Sequence, residues 1–173
     1  MIESEKSWYA VYTLPRSEKK LAAQLEKKGI ITFLPTIPIR RKWSDRMKTI
    51  EEPIFASYLF VRIDLNKEKI AVLQTSGAHH FLSIGGEIKQ IPDEDIDLVQ
   101  IFVREYPDRV KIELEELIAP GNKVLIAKGP FAGHRAKVLR KGNMTKVVVS
   151  IEGIQGSVSI ELDPELLENC EEA

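Results

Sequence analysis

The chain has 173 residues, 43% of them hydrophobic, and a formal net charge of −1. That length suits one ordinary domain or two small ones, the apolar content is globular rather than disordered, and the near-zero charge argues against a general polyanion binder. No apolar run approaches the roughly 20 residues that span a bilayer, the first seven residues are unlike a secretory leader, and the single Cys170 allows no internal disulfide and no cysteine metal cluster. A cytoplasmic protein with no membrane contact and no cofactor is expected. Basic residues gather at 16–28 and 40–48 and acids at 93–97, 113–116 and after 161, so any nucleic-acid contact belongs to the first part of the chain.

In chain order, residues 1–6 read as a disordered tail. Ser7–Thr13 is aromatic and β-branched with apolar side chains on both alternation faces, which predicts an interior strand that Pro15 ends. Ser17 is placed to cap a helix with Glu18 in its first turn, a buried stripe of Leu21, Ala22 and Leu25, and Lys27 and Lys28 before Gly29. Residues 30–35 predict a second strand. Residues 37–43 continue it outward into a hairpin that turns at Ser44-Asp45-Arg46 and returns through 47–51 toward Phe55. In the strand Tyr58–Ile63, alternation puts Leu59, Val61 and Ile63 on one face and Tyr58 and Phe60 on the other. A helix over 67–73, a turn at 74–77, a strand over 79–84 and a helix over 94–106 capped by Asp93 complete an α+β domain at 7–107. The acidic, proline-flanked stretch 108–119 reads as a linker.

From residue 124 four short β-patterned runs follow, separated by Gly129-Pro130, Lys141-Gly142-Asn143 and Gly153-Ile154-Gln155-Gly156, where glycine supplies positive φ. A small all-β, SH3-like barrel over 120–169 is expected, with 170–173 as an acidic tail. The fold class is thus an antiparallel sheet flanked by helices, then the barrel.

Pro120-Gly121-Asn122-Lys123-Val124, Lys128-Gly129-Pro130-Phe131-Ala132-Gly133 and the runs at 147–151 and 159–162 resemble a KOW domain. Upstream, Trp8-Tyr9-Ala10-Val11-Tyr12-Thr13, Phe33-Leu34-Pro35, the segment 53–61, Thr75-Ser76-Gly77-Ala78-His79-His80-Phe81 and Ile91-Pro92-Asp93 occur in the order of the N-terminal (NGN) domain of the NusG family of transcription elongation factors, which the chain resembles over almost its whole length. Two departures stand out: Ala56-Ser57 replaces the family's usual Pro-Gly, and Ser76 stands where its turn commonly has proline. The hairpin 41–46 is more similar to specialised RfaH-like and UpxY-like antiterminators than to the housekeeping factor.

The resemblance implies an antitermination factor, acting as a monomer in the bacterial cytoplasm, that binds the clamp helices of RNA polymerase's largest subunit. It would suppress pausing or termination on a limited set of operons, polysaccharide operons among them. By position, Tyr12, Phe55, Tyr58 and Phe60 would line the polymerase pocket, and Thr75 and Ser76 would face the opposite jaw. Arg16, Ser17, Lys19, Lys20 and Arg46 would meet the non-template DNA strand. The barrel, marked by Gly129, Pro130, Phe131 and Gly133, would recruit a ribosomal protein or Rho. The housekeeping role is the near alternative, and a KOW-type RNA-binding or ribosome-associated module is the rival from another class. An enzyme is not expected. His79 and His80, adjacent in a strand, should point to opposite faces and share no metal, His134 is isolated in a turn, and 129–133 lacks a P-loop ending.

Overall fold

In the computed structural model, the described residues are 5–113, 124–126, 128–141, 143–154 and 157–162. The chain divides into two units, Met1–Pro35 with Phe55–Asp93, and Thr36–Ile54 with Glu94–Ala173.

The first unit is built on β1 (Ser7–Thr13). This strand pairs antiparallel with β5 (Tyr58–Ile63), which on its far side pairs with β2 (Ile31–Phe33). The other edge of β1 pairs with β6 (Ala78–Phe81) and, further along, with β9 (Gln90–Ile91). Occupied on both edges, β1 is the interior strand that its apolar pattern predicts. The register Tyr9↔Val61 and Val11↔Leu59 puts these residues on one face. There they pack with Leu21, Ala22 and Leu25 of α1 (Glu18–Lys27), Val72 of α2 (Leu65–Leu73) and Phe81. Each fully buried aliphatic side chain of this kind contributes about 1.5–3 kcal/mol.

The helix starts differ from expectation. Ser17 occupies the position before α1, but its hydroxyl donates to the Pro15 carbonyl at 3.5 Å and makes no capping bond. The C-terminus follows the sequence: Gly29 takes φ +79°, its N–H reaches the Glu26 carbonyl at 3.0 Å, and the Ile30 N–H reaches Leu25 at 3.1 Å. Those two bonds close the helix in the way glycine permits. Helix α2 begins two residues earlier than expected, because the Asp64 carboxylate accepts from the Asn66 N–H at 3.1 Å. The run 79–84 is split between β6 and β7 (Ser83–Ile84), and β7 pairs with β8 (Glu87–Ile88).

The second unit contains a two-stranded ribbon, β3 (Thr36–Lys42) and β4 (Met47–Pro53), closed where the Trp43 N–H donates to the Arg46 carbonyl at 2.8 Å. Helix α3 (Asp93–Glu105) starts at Asp93 itself and buries Ile96, Leu98, Val99, Ile101 and Phe102. Its contacts group it with the C-terminal strands rather than with the residues before it. The C-terminal sheet is an antiparallel meander of β10 (Val110–Glu113), β14 (Ser157–Leu162), β13 (Met144–Val149), β12 (Arg135–Lys141) and β11 (Val124–Leu125), in that spatial order. The first of these is a correction. The stretch expected to be a flexible linker contributes a strand, with Val110↔Ile160 and Ile112↔Val158 in register. Residues 114–119 of that linker, the turn residues Gly142, Gln155 and Gly156, and both expected tails beyond residues 5–6 lie outside the described residues.

Candidate functional site

Because β1 sends Tyr9 and Val11 toward the helices, Ala10 and Tyr12 project from the opposite face of the sheet. Register aligns Tyr12 with Tyr58 on β5 and with His80 on β6, so a row of three rings crosses three strands. Tyr12 meets Tyr58 edge-on at 5.4 Å between ring centroids and stacks on His80 at 5.0 Å. His79 joins edge-on at 5.8 Å. The two tyrosines are half-buried and the two histidines exposed. Burial, and then the neighbouring Tyr12, raise the Tyr58 hydroxyl above its ordinary pKa, since both disfavour the phenolate.

The histidine geometry overturns an expectation. Instead of facing apart, His79 and His80 bring their Nδ1 atoms within 2.6 Å, one donating and the other accepting. The cause is an irregularity in the β1–β6 ladder: Tyr12 pairs with His80 and Thr13 with Ala78, leaving His79 as the extra residue of a bulge and free of the strand's alternation. No spacing signal in the sequence announces this bulge. Two imidazoles alone fall short of a zinc donor set. Among the described residues no cluster of three or more His, Cys, Asp or Glu side chains is placed to hold a metal.

Other expected pocket residues lie elsewhere. Phe60 is 0% exposed and Phe55 6%, with the two rings edge-on at 5.5 Å. Phe60 also packs on Phe33 at 6.3 Å, and Phe33 on Trp8 at 6.4 Å. These rings are core, so they shape the surface without being part of it. Thr75 is likewise buried, 4% exposed. Its hydroxyl donates to the Ala71 carbonyl at 2.8 Å and accepts from Lys28 Nζ at 2.8 Å. Ser76, its neighbour, is exposed.

The turn bearing Ser76 is drawn against the start of α1. The Leu14 N–H donates to the Gly77 carbonyl at 2.9 Å, and a Cβ on Gly77, already at φ +100°, would meet Ser17 Cβ at 3.1 Å. That φ favours glycine, and any side chain there would also have to push Ser17 back by a few tenths of an ångström. Arg16, in the left-handed region at φ 59°, and Lys19 and Lys20 are exposed beside it, while Ser17 is half-buried. The loop 55–58 is tied to the same place. The Thr13 N–H donates to the Ser57 carbonyl at 2.8 Å, and Ser57 N–H donates to the buried Glu18 carboxylate at 2.8 Å. The first unit thus assembles Tyr12, Tyr58, His79 and His80 as an open aromatic patch, and groups Arg16, Ser17, Lys19, Lys20 and Ser76 around the start of α1. Arg46 lies in the ribbon of the second unit.

In the C-terminal sheet, Gly129 and Gly133 take φ 81° and 84°, as the turn reading requires. Phe131 between them is turned inward, stacking on Tyr106 at 5.9 Å and meeting Phe102 edge-on at 5.5 Å. It anchors the turn rather than presenting a surface.

A family model described as transcription termination factor NusG matches residues 6–100. The transcription termination/antitermination protein NusG of Lactococcus lactis is 22% identical, over 99% of this chain and 97% of its own. The protein of the same name from Thermus thermophilus is 25% identical, over 89% and 94%. Among solved structures, one described as domain interaction in Thermotoga maritima NusG is similar with a TM-score of 0.47 and 25% identity, covering 92% of this chain and 94% of that one.

Proposed function

This chain belongs to the NusG family of transcription termination and antitermination factors, and we propose that it binds RNA polymerase through the open Tyr58–Tyr12–His80 face. Factors of this family act by binding and are not enzymes. The observation that carries the reading is the aromatic row, two half-buried tyrosines and an exposed histidine, on the sheet face opposite the helix-packed core. Rings that keep a polar edge suit an interface because they bury apolar area while their hydroxyl or imidazole nitrogen stays at a wet rim. The occupant is the apolar side of the clamp helices on the largest polymerase subunit.

Ser76, on the turn locked against α1, is the contact to the opposite jaw, and Arg16, Ser17, Lys19 and Lys20 track the non-template strand between the two. A factor bridging both jaws shifts the clamp toward its closed state by the difference in its affinity for the two states and by no more. Pausing, which needs the open state, declines accordingly. The C-terminal sheet serves as the recruiting module, for a ribosomal protein or for Rho.

The test is Tyr12→Ala. In binding to purified core polymerase it should lose about 30-fold or more, the effect of removing an interface anchor of at least about 2 kcal/mol. Unchanged affinity in a folded variant would sink the assignment. The resemblance of the hairpin 41–46 to specialised antiterminators is what motivates a role on a limited set of operons, polysaccharide operons among them. Mapping the protein and polymerase together across a genome checks that role, and occupancy of nearly every transcribed gene would replace it with the housekeeping one.

A further inference from the structure

Residues 40–48, which close the β3–β4 ribbon, carry five cations (Arg40, Arg41, Lys42, Arg46, Lys48) and one acid, Asp45, a local charge of +4 in a chain whose net charge is −1. All nine side chains are exposed. At the tip Trp43 is 49% exposed and Met47 52%, large apolar groups left in water beside the cations. The register distributes the charge over both faces. Arg40 lies opposite Thr49 and Lys42 opposite Met47 on one side, while Arg41 lies opposite Lys48 on the other. Arg41 is engaged with Glu52, and Lys48 Nζ sits 4.8 Å over the Trp43 ring. Neither the aromatic row nor the start of α1 uses any of these groups.

We propose that this ribbon is a second nucleic-acid contact, an arm that enters a groove of duplex DNA with Trp43 foremost. The width decides between duplex and single strand. A two-stranded β-ribbon is one of the two elements that the roughly 12 Å major groove admits, and its seven-residue strands reach roughly 20 Å. Cations on opposite faces of a ribbon can meet phosphates on both walls of a groove, whereas a single strand lying along one face would leave the other face's charges unused. Lys48 sits over one face of the indole, and the exposed half of the residue is available to base edges at the groove floor. The inference deepens the proposed function by adding a duplex contact to the single-strand one, and its test omits polymerase so that the two can fail separately.

The full chain is titrated with a labelled duplex of arbitrary sequence and with a single strand of equal length, at several salt concentrations. Four engaged cations (Arg40, Lys42, Arg46, Lys48) predict a log–log salt slope near about −3.6. Arg40→Gln/Lys42→Gln/Lys48→Gln should weaken duplex binding at least about 10-fold and flatten that slope by about 2.7. Because Trp8 is buried and out of reach of DNA, it adds a constant background, and the duplex-dependent change in intrinsic fluorescence reports Trp43. Its emission should change on adding duplex, and the change should vanish in Trp43→Phe. Equal or tighter binding of the single strand would replace the groove with a strand-tracking surface. An unaltered triple variant with a wild-type circular dichroism spectrum, or no duplex binding at low salt, would overturn the proposal.

Discussion

Ser57 holds a Cβ at φ 65°, a conformation that costs an L-residue about 1–2 kcal/mol relative to glycine. Two fixed partners maintain it, the Glu18 carboxylate on its N–H and the Thr13 N–H on its carbonyl. Replacing Ser57 by glycine should therefore stabilise the protein by about 1 kcal/mol, read as a raised denaturation midpoint at constant m-value. A midpoint that fell would show that the side chain itself contributes. The sequence makes the Ala56-Ser57 departure visible, but not its remedy, because Glu18 lies 39 positions away and reads there only as a helix first-turn acid. The same limit applies to the aromatic rings. Alternation places Tyr58 and Phe60 on one face correctly, yet it cannot say that Phe60 is sealed between Phe33 and Phe55 while Tyr58 reaches solvent. Tyr12→Ala is for this reason a cleaner probe of binding than Phe55→Ala, which would open a cavity.

Among the elements, the strands and helices of the first unit were legible because their periodicity is long and their terminators are chemical: Pro15, Gly29, and the apolar stripe Leu21, Ala22, Leu25. The short pieces were not. Strand β10 offers four residues, and Val110 is deeply buried while Ile112 stays 40% exposed, so its alternation is faint against an acidic neighbourhood. Its partner β14 is nearly fifty residues downstream, beyond any local signal. Hydrogen exchange separates strand from tether. Amides within Val110–Glu113 should be protected well beyond random-coil rates, and uniform fast exchange would return the segment to the linker reading. The bulge at His79 belongs to the same class of hidden feature, since it exists only in the pairing of β6 with β1.

For the molecule as a whole, the sequence led to an α+β domain followed by a small all-β one. Helix α3 carries the right apolar spacing, but spacing does not say which partner it serves; Phe102 and the nearby Tyr106 hold Phe131 of the C-terminal sheet. Phe131→Ala should accordingly cost about 3–5 kcal/mol of that unit's stability, a large share of the roughly 5–15 kcal/mol a domain possesses. A chemical melt showing less than about 1 kcal/mol would mean the turn holds itself together.

The central place of β1 also sets a schedule for synthesis. Its pairing partners end with β5 at residue 63, β6 at 81 and β9 at 91. At about 5–20 residues per second, the apolar stretch from Trp8 to Val11 waits on the order of five to fifteen seconds after translation for its last neighbour. A nascent chain carrying such an unsheltered strand is a natural client for a holding chaperone, and a stall anywhere before codon 91 would prolong its vulnerability to aggregation.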